Sequence, residues 1–225
     1  MTRLVLFDID GTLIHTQSAG VRAFFSALRS EFGVANPSEN ISFAGRTDKS
    51  LVREFFNAHG IEPSDKNFKR FFENYVFWLD YMLRRSQGEI APGADHFIHS
   101  LRVHKNAPKV GLLTGNIRLG AEIKLRHYYL WEYFEMGVFG DEDEDRNRLA
   151  AIALQRGREL LGQDLKPEEI VVVGDTVLDV ACAKSIGARC LAVCTGGSTQ
   201  EELAAAKPDW LALSLSKIQA HTILC

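Results

Sequence analysis

Asp8 and Asp10 stand one residue apart at the end of the apolar run Leu4-Val5-Leu6-Phe7, and Gly11 and Thr12 follow them. Two carboxylates this close repel each other unless a positive charge lies between them. A hard dication with a preference for oxygen ligands, Mg²⁺, meets that need. Two later places in the chain repeat the arrangement. After the apolar run 109–113 come Thr114, Gly115 and Asn116, a hydroxyl, a flexible glycine and backbone N–H groups entering a helix. That combination suits a phosphate oxyanion. After the run 170–173 come Gly174, Asp175 and Thr176, with Asp179 four residues beyond Asp175. Asp175 is expected to complete a carboxylate metal site with Asp8 and Asp10. Asp179, in the first turn of the next helix, falls on the same side as Asp175.

These groups need a scaffold that brings three strand ends together. Residues 4–7 are short, apolar and bounded, as expected of a strand buried on both faces. Residues 18–33 carry a helical stripe at 21, 24, 25, 28 and 32, closed by Gly33. A second helix is expected at 48–59. A third, from 64, carries Phe68, Phe71, Phe72, Tyr75, Trp78, Leu79 and Met82 on one broad face. The region 14–90 therefore reads as all-helical, with most of the chain's aromatic residues forming a small core of its own. The helix 68–82 could also form an interface between copies, so a monomer or a homodimer is expected.

From Ala91 onward the pattern alternates. Helices are expected at 94–104, 117–129, 146–162, 177–186 and 200–206, with a last helix at the C-terminus. Strands are expected at 109–113, 137–139, 170–173, 189–193 and 209–212. Such alternation predicts an α/β fold, a parallel sheet with helices on both faces. Right-handed crossovers place every strand's carboxyl end on one edge, where open α/β sheets bind ligands. The expected division is an α/β core from 1–14 and 91–225, with an all-helical insertion at 15–90.

Composition narrows the function classes. With 46% apolar and 24% charged residues, the 225-residue chain is globular. A net charge of −3 gives no general pull on nucleic acid. No apolar run is long enough to span a membrane. Cys182, Cys190, Cys194 and Cys225 include no Cys-x-x-Cys pair and read as free thiols, so a cytoplasmic location is expected. His96 and His99, one helical turn apart with no third ligand near, read as surface residues.

The segments Asp8-Ile-Asp-Gly-Thr-Leu13, Leu113-Thr-Gly-Asn116 and Gly174-Asp-Thr-Val-Leu-Asp179 resemble three of the four motifs of haloacid dehalogenase-superfamily phosphohydrolases, over essentially the whole chain. The helical insertion is similar to the cap domain of the branch that holds phosphoglycolate phosphatases and β-phosphoglucomutases. The resemblance implies a Rossmannoid core and a phosphatase acting on a small phosphorylated metabolite. It further implies Asp8 as nucleophile and Asp10 as acid and base. Mg²⁺ would be held by Asp8, the Asp10 main-chain carbonyl and Asp175, and Thr12, Thr114, Gly115 and Asn116 would lie around the phosphoryl group. The fourth motif departs from the family. Its lysine is missing between Lys124 and Lys166, and the stretch reads Gly140-Asp-Glu-Asp-Glu-Asp-Arg-Asn-Arg148. Arg146 is the candidate replacement, with Arg148 the alternative, and the resemblance implies that Asp179 orients Arg146 or a metal-bound water. The acidic run 141–145 is expected to be a solvated loop.

In the insertion, Gly45-Arg46-Thr47-Asp48 is the one further polar cluster, with Arg46 a candidate substrate contact and Thr47 or Asp48 a helix cap. Residues 14–16 and 89–92 should link the two parts and let them close on each other. A phosphomutase would use the same groups. A dehalogenase would leave Asp10 unexplained, and a receiver-like phospho-acceptor module would be shorter and without the insertion.

Overall fold

A computed structural model describes residues 1–35 and 41–225. In chain order these form β1 (Leu4–Phe7), β2 (Ile14–His15), α1 (Ala19–Phe32), α2 (Asp48–Ala58), α3 (Asp65–Leu83), β3 (Glu89–Ile90), α4 (Ala94–Arg102) and β4 (Lys109–Leu113). Then follow α5 (Arg118–His127), β5 (Met136–Val138), α6 (Arg146–Leu161), β6 (Ile170–Gly174), α7 (Val177–Ser185), β7 (Arg189–Val193), α8 (Gln200–Ala205) and β8 (Trp210–Ala212). Six strands make one sheet in the order β5-β4-β1-β6-β7-β8, and every pairing in it is parallel. The α/β class with a parallel sheet is therefore as expected.

The alternation of side chains along β1 explains why its run is apolar throughout. Val5 and Phe7 join one hydrophobic cluster and Leu4 and Leu6 the other, so both faces of the strand are covered. Register then decides what meets at the sheet's edge. Phe7 lies beside Leu112 on one side and Val173 on the other. Asp8 follows Phe7 directly, and Thr114 and Asp175 follow Leu113 and Gly174, the last residues of β4 and β6, so all three emerge at one edge.

The helical insertion has the aromatic core that its periodicity predicts. Phe24 of α1 lies 4.7 Å from Phe71 of α3 and 5.1 Å from Phe55 of α2, ring centre to ring centre. Phe55, Phe56 and Phe71 are fully buried. Truncating one such ring costs about 3–5 kcal/mol. Phe77 and Tyr81 of α3 face solvent.

Two expectations need correction. The region 14–90 is not helical throughout: Ile14 pairs with Ile90 and His15 with Glu89 in a two-stranded antiparallel ribbon that joins the two expected linkers. The C-terminal helix is absent. Residues Leu215–Lys217 and Ala220–Ile223 are single 3₁₀ turns. Ser216 N–H donates to the Pro92 carbonyl, and Thr2 N–H to that of Leu224. The tail's backbone groups are thus satisfied by other segments rather than by a helical ladder.

Candidate active site

Asp8, directly after β1, is 5% exposed. Burial raises its carboxyl to about 6, with Asp179 and Asp10 adding repulsion, while Arg146 and the Thr114 hydroxyl hold it down. Arg146 Nη2 lies 3.2 Å from Asp8 Oδ1 and also pairs with Asp179 Oδ1. The same guanidinium donates through Nη1 to the Gly45 carbonyl at 3.2 Å. Burial opposes its charge, but Asp179 and Asp8 outweigh that and raise its pKa. One planar fork thus reaches two acids through Nη2 and one carbonyl through Nη1. Arg148 is not its rival: that side chain is exposed and faces Asp143.

Asp179 is held from its own side by the start of α7. Its Oδ2 accepts from Thr176 N–H at 3.0 Å and from the Thr176 hydroxyl at 2.7 Å, a reciprocal cap. Its other oxygen is left to Arg146.

Asp175, at the tip of β6, accepts from the Thr12 hydroxyl at 2.8 Å and from Gly197 N–H at 2.6 Å. Thr12 is fully buried and spends its hydroxyl on Asp175, so it supports an acid instead of facing a ligand. That corrects its expected place among the substrate contacts. Burial first, then repulsion from Asp179 and Asp8, raises the Asp175 carboxyl to about 8. Asp8, Asp175 and Asp179 each offer an oxygen within 4.8 Å of the others. Three buried acids with one arginine carry surplus negative charge, and the donors are all oxygen. This set fits a hard dication. The Asp10 carboxylate lies outside it.

Thr114 and Asn116 occupy the start of the loop into α5. Asn116 Nδ2 donates to Thr114 Oγ1 at 2.9 Å and to Asp10 Oδ2 at 2.8 Å. Asp10 is therefore turned away from the three-acid cluster, and Lys124 meets it there. The ammonium lies 2.6 Å from Asp10 Oδ2 and 2.6 Å from Asn116 Oδ1, with the lysine only 4% exposed. The sequence reading missed Lys124. Its signal was position: it falls on the apolar stripe 117, 121, 125 of α5, where a lysine needs a reason.

The insertion closes over this edge through backbone contacts. Asp48 N–H donates to the Gly115 carbonyl at 2.7 Å, and Asp48 Oδ2 accepts from Ile117 N–H at 2.8 Å. Asp48 thus caps α5 of the core while Thr47 caps α2. The Thr47 hydroxyl donates to the Glu144 carbonyl, and Arg53 clasps the Glu144 carboxylate. The acidic run is therefore bound at several points and is not simply solvated. Asp145 also caps α6. Arg46 pairs with Glu54 at 2.6 Å and lines the cavity between the two parts. That cavity, about 490 Å³, brings together Asp8, Asp10, Asp175, Arg146, Lys124, Gly115 and Asn116 from the core, with Phe24, Phe43, Leu51 and Tyr75 from the insertion. Thr114 and Asp179 lie behind its wall.

The chain is 27% identical over 232 residues to a probable phosphatase, IndB, of Dickeya dadantii, covering 100% of this chain and 96% of that protein. It is 26% identical over 223 residues to the pyrophosphatase PpaX of Bacillus cereus, covering 95% and 93%. Among solved structures, CbbY of Rhodobacter sphaeroides in complex with xylulose-(1,5)bisphosphate superposes with a TM-score of 0.80 at 20% identity, over 100% of this chain and 99% of that one. A predicted phosphoglycolate phosphatase from Haemophilus somnus gives 0.73 at 21% identity, over 96% and 95%. Both structures show the shared fold. The profile of haloacid dehalogenase-like hydrolases matches residues 5–193, most of the chain, and the three motifs at the strand tips lie inside that match. The chain belongs to the haloacid dehalogenase-like hydrolase family.

Proposed function

We propose that this hydrolase is a Mg²⁺-dependent phosphatase that cleaves a small phosphate monoester through an aspartyl-phosphate on Asp8. One observation carries the reading: the buried Asp8 carboxylate shares a cavity with Arg146, with the oxygen-only acid cluster and with a second, separately held carboxyl, Asp10. An Asp8 oxygen attacks phosphorus while Asp10 gives its proton to the departing alcohol oxygen. Water then attacks the phosphorylated Asp8, its proton passing to Asp10, and phosphate leaves. Arg146 and the N–H groups after Thr114 hold the phosphoryl oxygens, and Asp179 holds Arg146. The residues expected to bind Mg²⁺ are Asp8, Asp175 and the Asp10 main-chain carbonyl; when bound, the ion offsets the charge of the two anions that must meet. Uncatalysed phosphate-monoester hydrolysis is so slow that positioning and charge neutralisation must supply on the order of 20 kcal/mol.

The cavity and the relatives together support a substrate class. A space of about 490 Å³ suits a small metabolite such as a phosphoglycolate-like acid or a sugar phosphate. Arg46, at the cavity wall, is the candidate contact for the part of the substrate beyond the phosphate. The division into an α/β core (1–14 and 91–225) and a cap (15–90) gives closure its purpose, the exclusion of water during transfer. A cytoplasmic enzyme fits the four free thiols. The test is phosphate release from a panel of monoesters with and without Mg²⁺, using the unsubstituted chain and Asp8→Asn. Turnover only with Mg²⁺ and only with Asp8 intact is expected. Near-normal turnover by Asp8→Asn would overturn the reading.

A further inference from the structure

Lys124 is a buried cation that the proposed chemistry does not yet use. Its ammonium donates to Asp10 Oδ2 and to Asn116 Oδ1, both at 2.6 Å. Asn116 Nδ2 donates to the same Asp10 Oδ2 at 2.8 Å. Asp10 Oδ2 therefore receives two donors, one charged, while Oδ1 receives none from the described residues. A protonated carboxyl has one O–H. Placing that proton on Oδ2 would aim it at an ammonium and an amide N–H, so Oδ1 is the oxygen free to carry it.

We propose that Lys124 is a positioning residue for Asp10: with Asn116 it fixes Oδ2 as a permanent acceptor and leaves Oδ1 to exchange the proton with the leaving group and then with water. This rests on the phosphatase reading above. In the first half-reaction the P–O bond to the alcohol breaks, its electron pair stays on that oxygen, and the proton on Oδ1 moves there. In the second, the attacking water returns a proton to Oδ1. No other reactant is needed. The surroundings of Lys124 tie the device to closure. Asp48 of the insertion is held down by Lys124 against the burial that raises its carboxyl to about 6. Tyr75 of the insertion and Lys124 both approach Gly20, so Lys124 sits on the seam between the two parts.

Leaving-group dependence separates positioning of a proton donor from simple structural support. An alkyl phosphate needs its leaving oxygen protonated, whereas p-nitrophenyl phosphate releases a stable phenolate. General acid catalysis is worth about 10²–10⁴-fold, and a misplaced donor should lose a good part of that. With Mg²⁺ present, Lys124→Met should lower kcat at least tenfold further on 2-phenylethyl phosphate than on p-nitrophenyl phosphate. Adding Lys124→Met to Asp10→Asn should cost nothing more on the alkyl ester. Equal losses on the two esters, or a further loss in the double variant, would overturn the proposal. Lys124→Gln, which keeps a donor without the charge, takes the same test if thermal melting shows that the methionine variant does not fold. Failure of the unsubstituted chain to cleave either ester would instead remove the phosphatase reading, and this inference with it.

Discussion

Asp175→Asn should stabilise the metal-free protein at pH 8 while abolishing its turnover. The Asp175 carboxyl is raised from 3.8 to about 8, mainly by burial and then by Asp179 and Asp8. An acid whose folded pKa lies above its unfolded one binds more protons in the native state. Stability therefore falls as pH climbs from about 4 to about 8 and levels off above that window. At about 1.4 kcal/mol per unit, the ceiling is about 6 kcal/mol. Relaxation and water entry reduce such costs, so about 2 kcal/mol is expected, or roughly 4–8 °C in Tm for a chain of this length. Asparagine fits the site: its carbonyl can accept from Gly197 N–H, and the Thr12 hydroxyl can turn to accept from its NH₂. Melting curves in EDTA at pH 5 and pH 8 provide the assay. The variant should gain at pH 8 and much less at pH 5, and Mg²⁺ should raise the Tm of the unsubstituted protein but not that of the variant. A variant less stable than its parent at pH 8, or equally shifted at both pH values, would refute the view that these acids await a cation.

Arg146→Ala should leave two buried carboxylates unpaired, lowering stability by about 3 kcal/mol and kcat by about 10²–10³. Arg146→Lys should recover only part, because an ammonium placed between Asp8 and Asp179 gives up the second nitrogen's contact with the Gly45 carbonyl; denaturant melts and kcat measure both, and full recovery would contradict a role for that contact. Gly115→Ala should obstruct closure, since an added Cβ would run into the Arg46 carbonyl oxygen. Far-UV circular dichroism should be unchanged, small-angle scattering should show a more open particle, and kcat should fall at least tenfold; unchanged kcat would show that Gly115 does not gate closure.

The strand tips were legible in the sequence because a parallel sheet delivers them all to one edge. Apolar runs ending in Asp8, Thr114 and Asp175 needed only the crossover rule to be placed together. Arg146 could be picked out because the missing lysine left a gap in a known position, and the fold buries it between Asp8 and Asp179. Contacts between distant segments were not legible. Thr12 looked like a loop hydroxyl facing a ligand, but the position of Gly197 and Asp175 turns it inward. Lys124 stands out in the sequence only by its place on an apolar stripe; its partners Asp10 and Asn116, and its neighbours Tyr75 and Asp48, appear only in the folded chain. The C-terminal turns failed for a related reason. Their apolar spacing resembles a helix, yet Leu215, Ala220 and Ile223 are buried by neighbours in the core and not by helical periodicity.

The most direct measurement is chemical trapping of the reaction partway. The enzyme is mixed with a ³²P-labelled ester and Mg²⁺, quenched in acid within milliseconds, digested and mapped by mass spectrometry. Label on the peptide that holds Asp8, appearing and decaying at rates that match turnover and lost in Asp8→Asn, is the predicted result. Steady turnover with no label on that peptide, or with label on another residue, would contradict it.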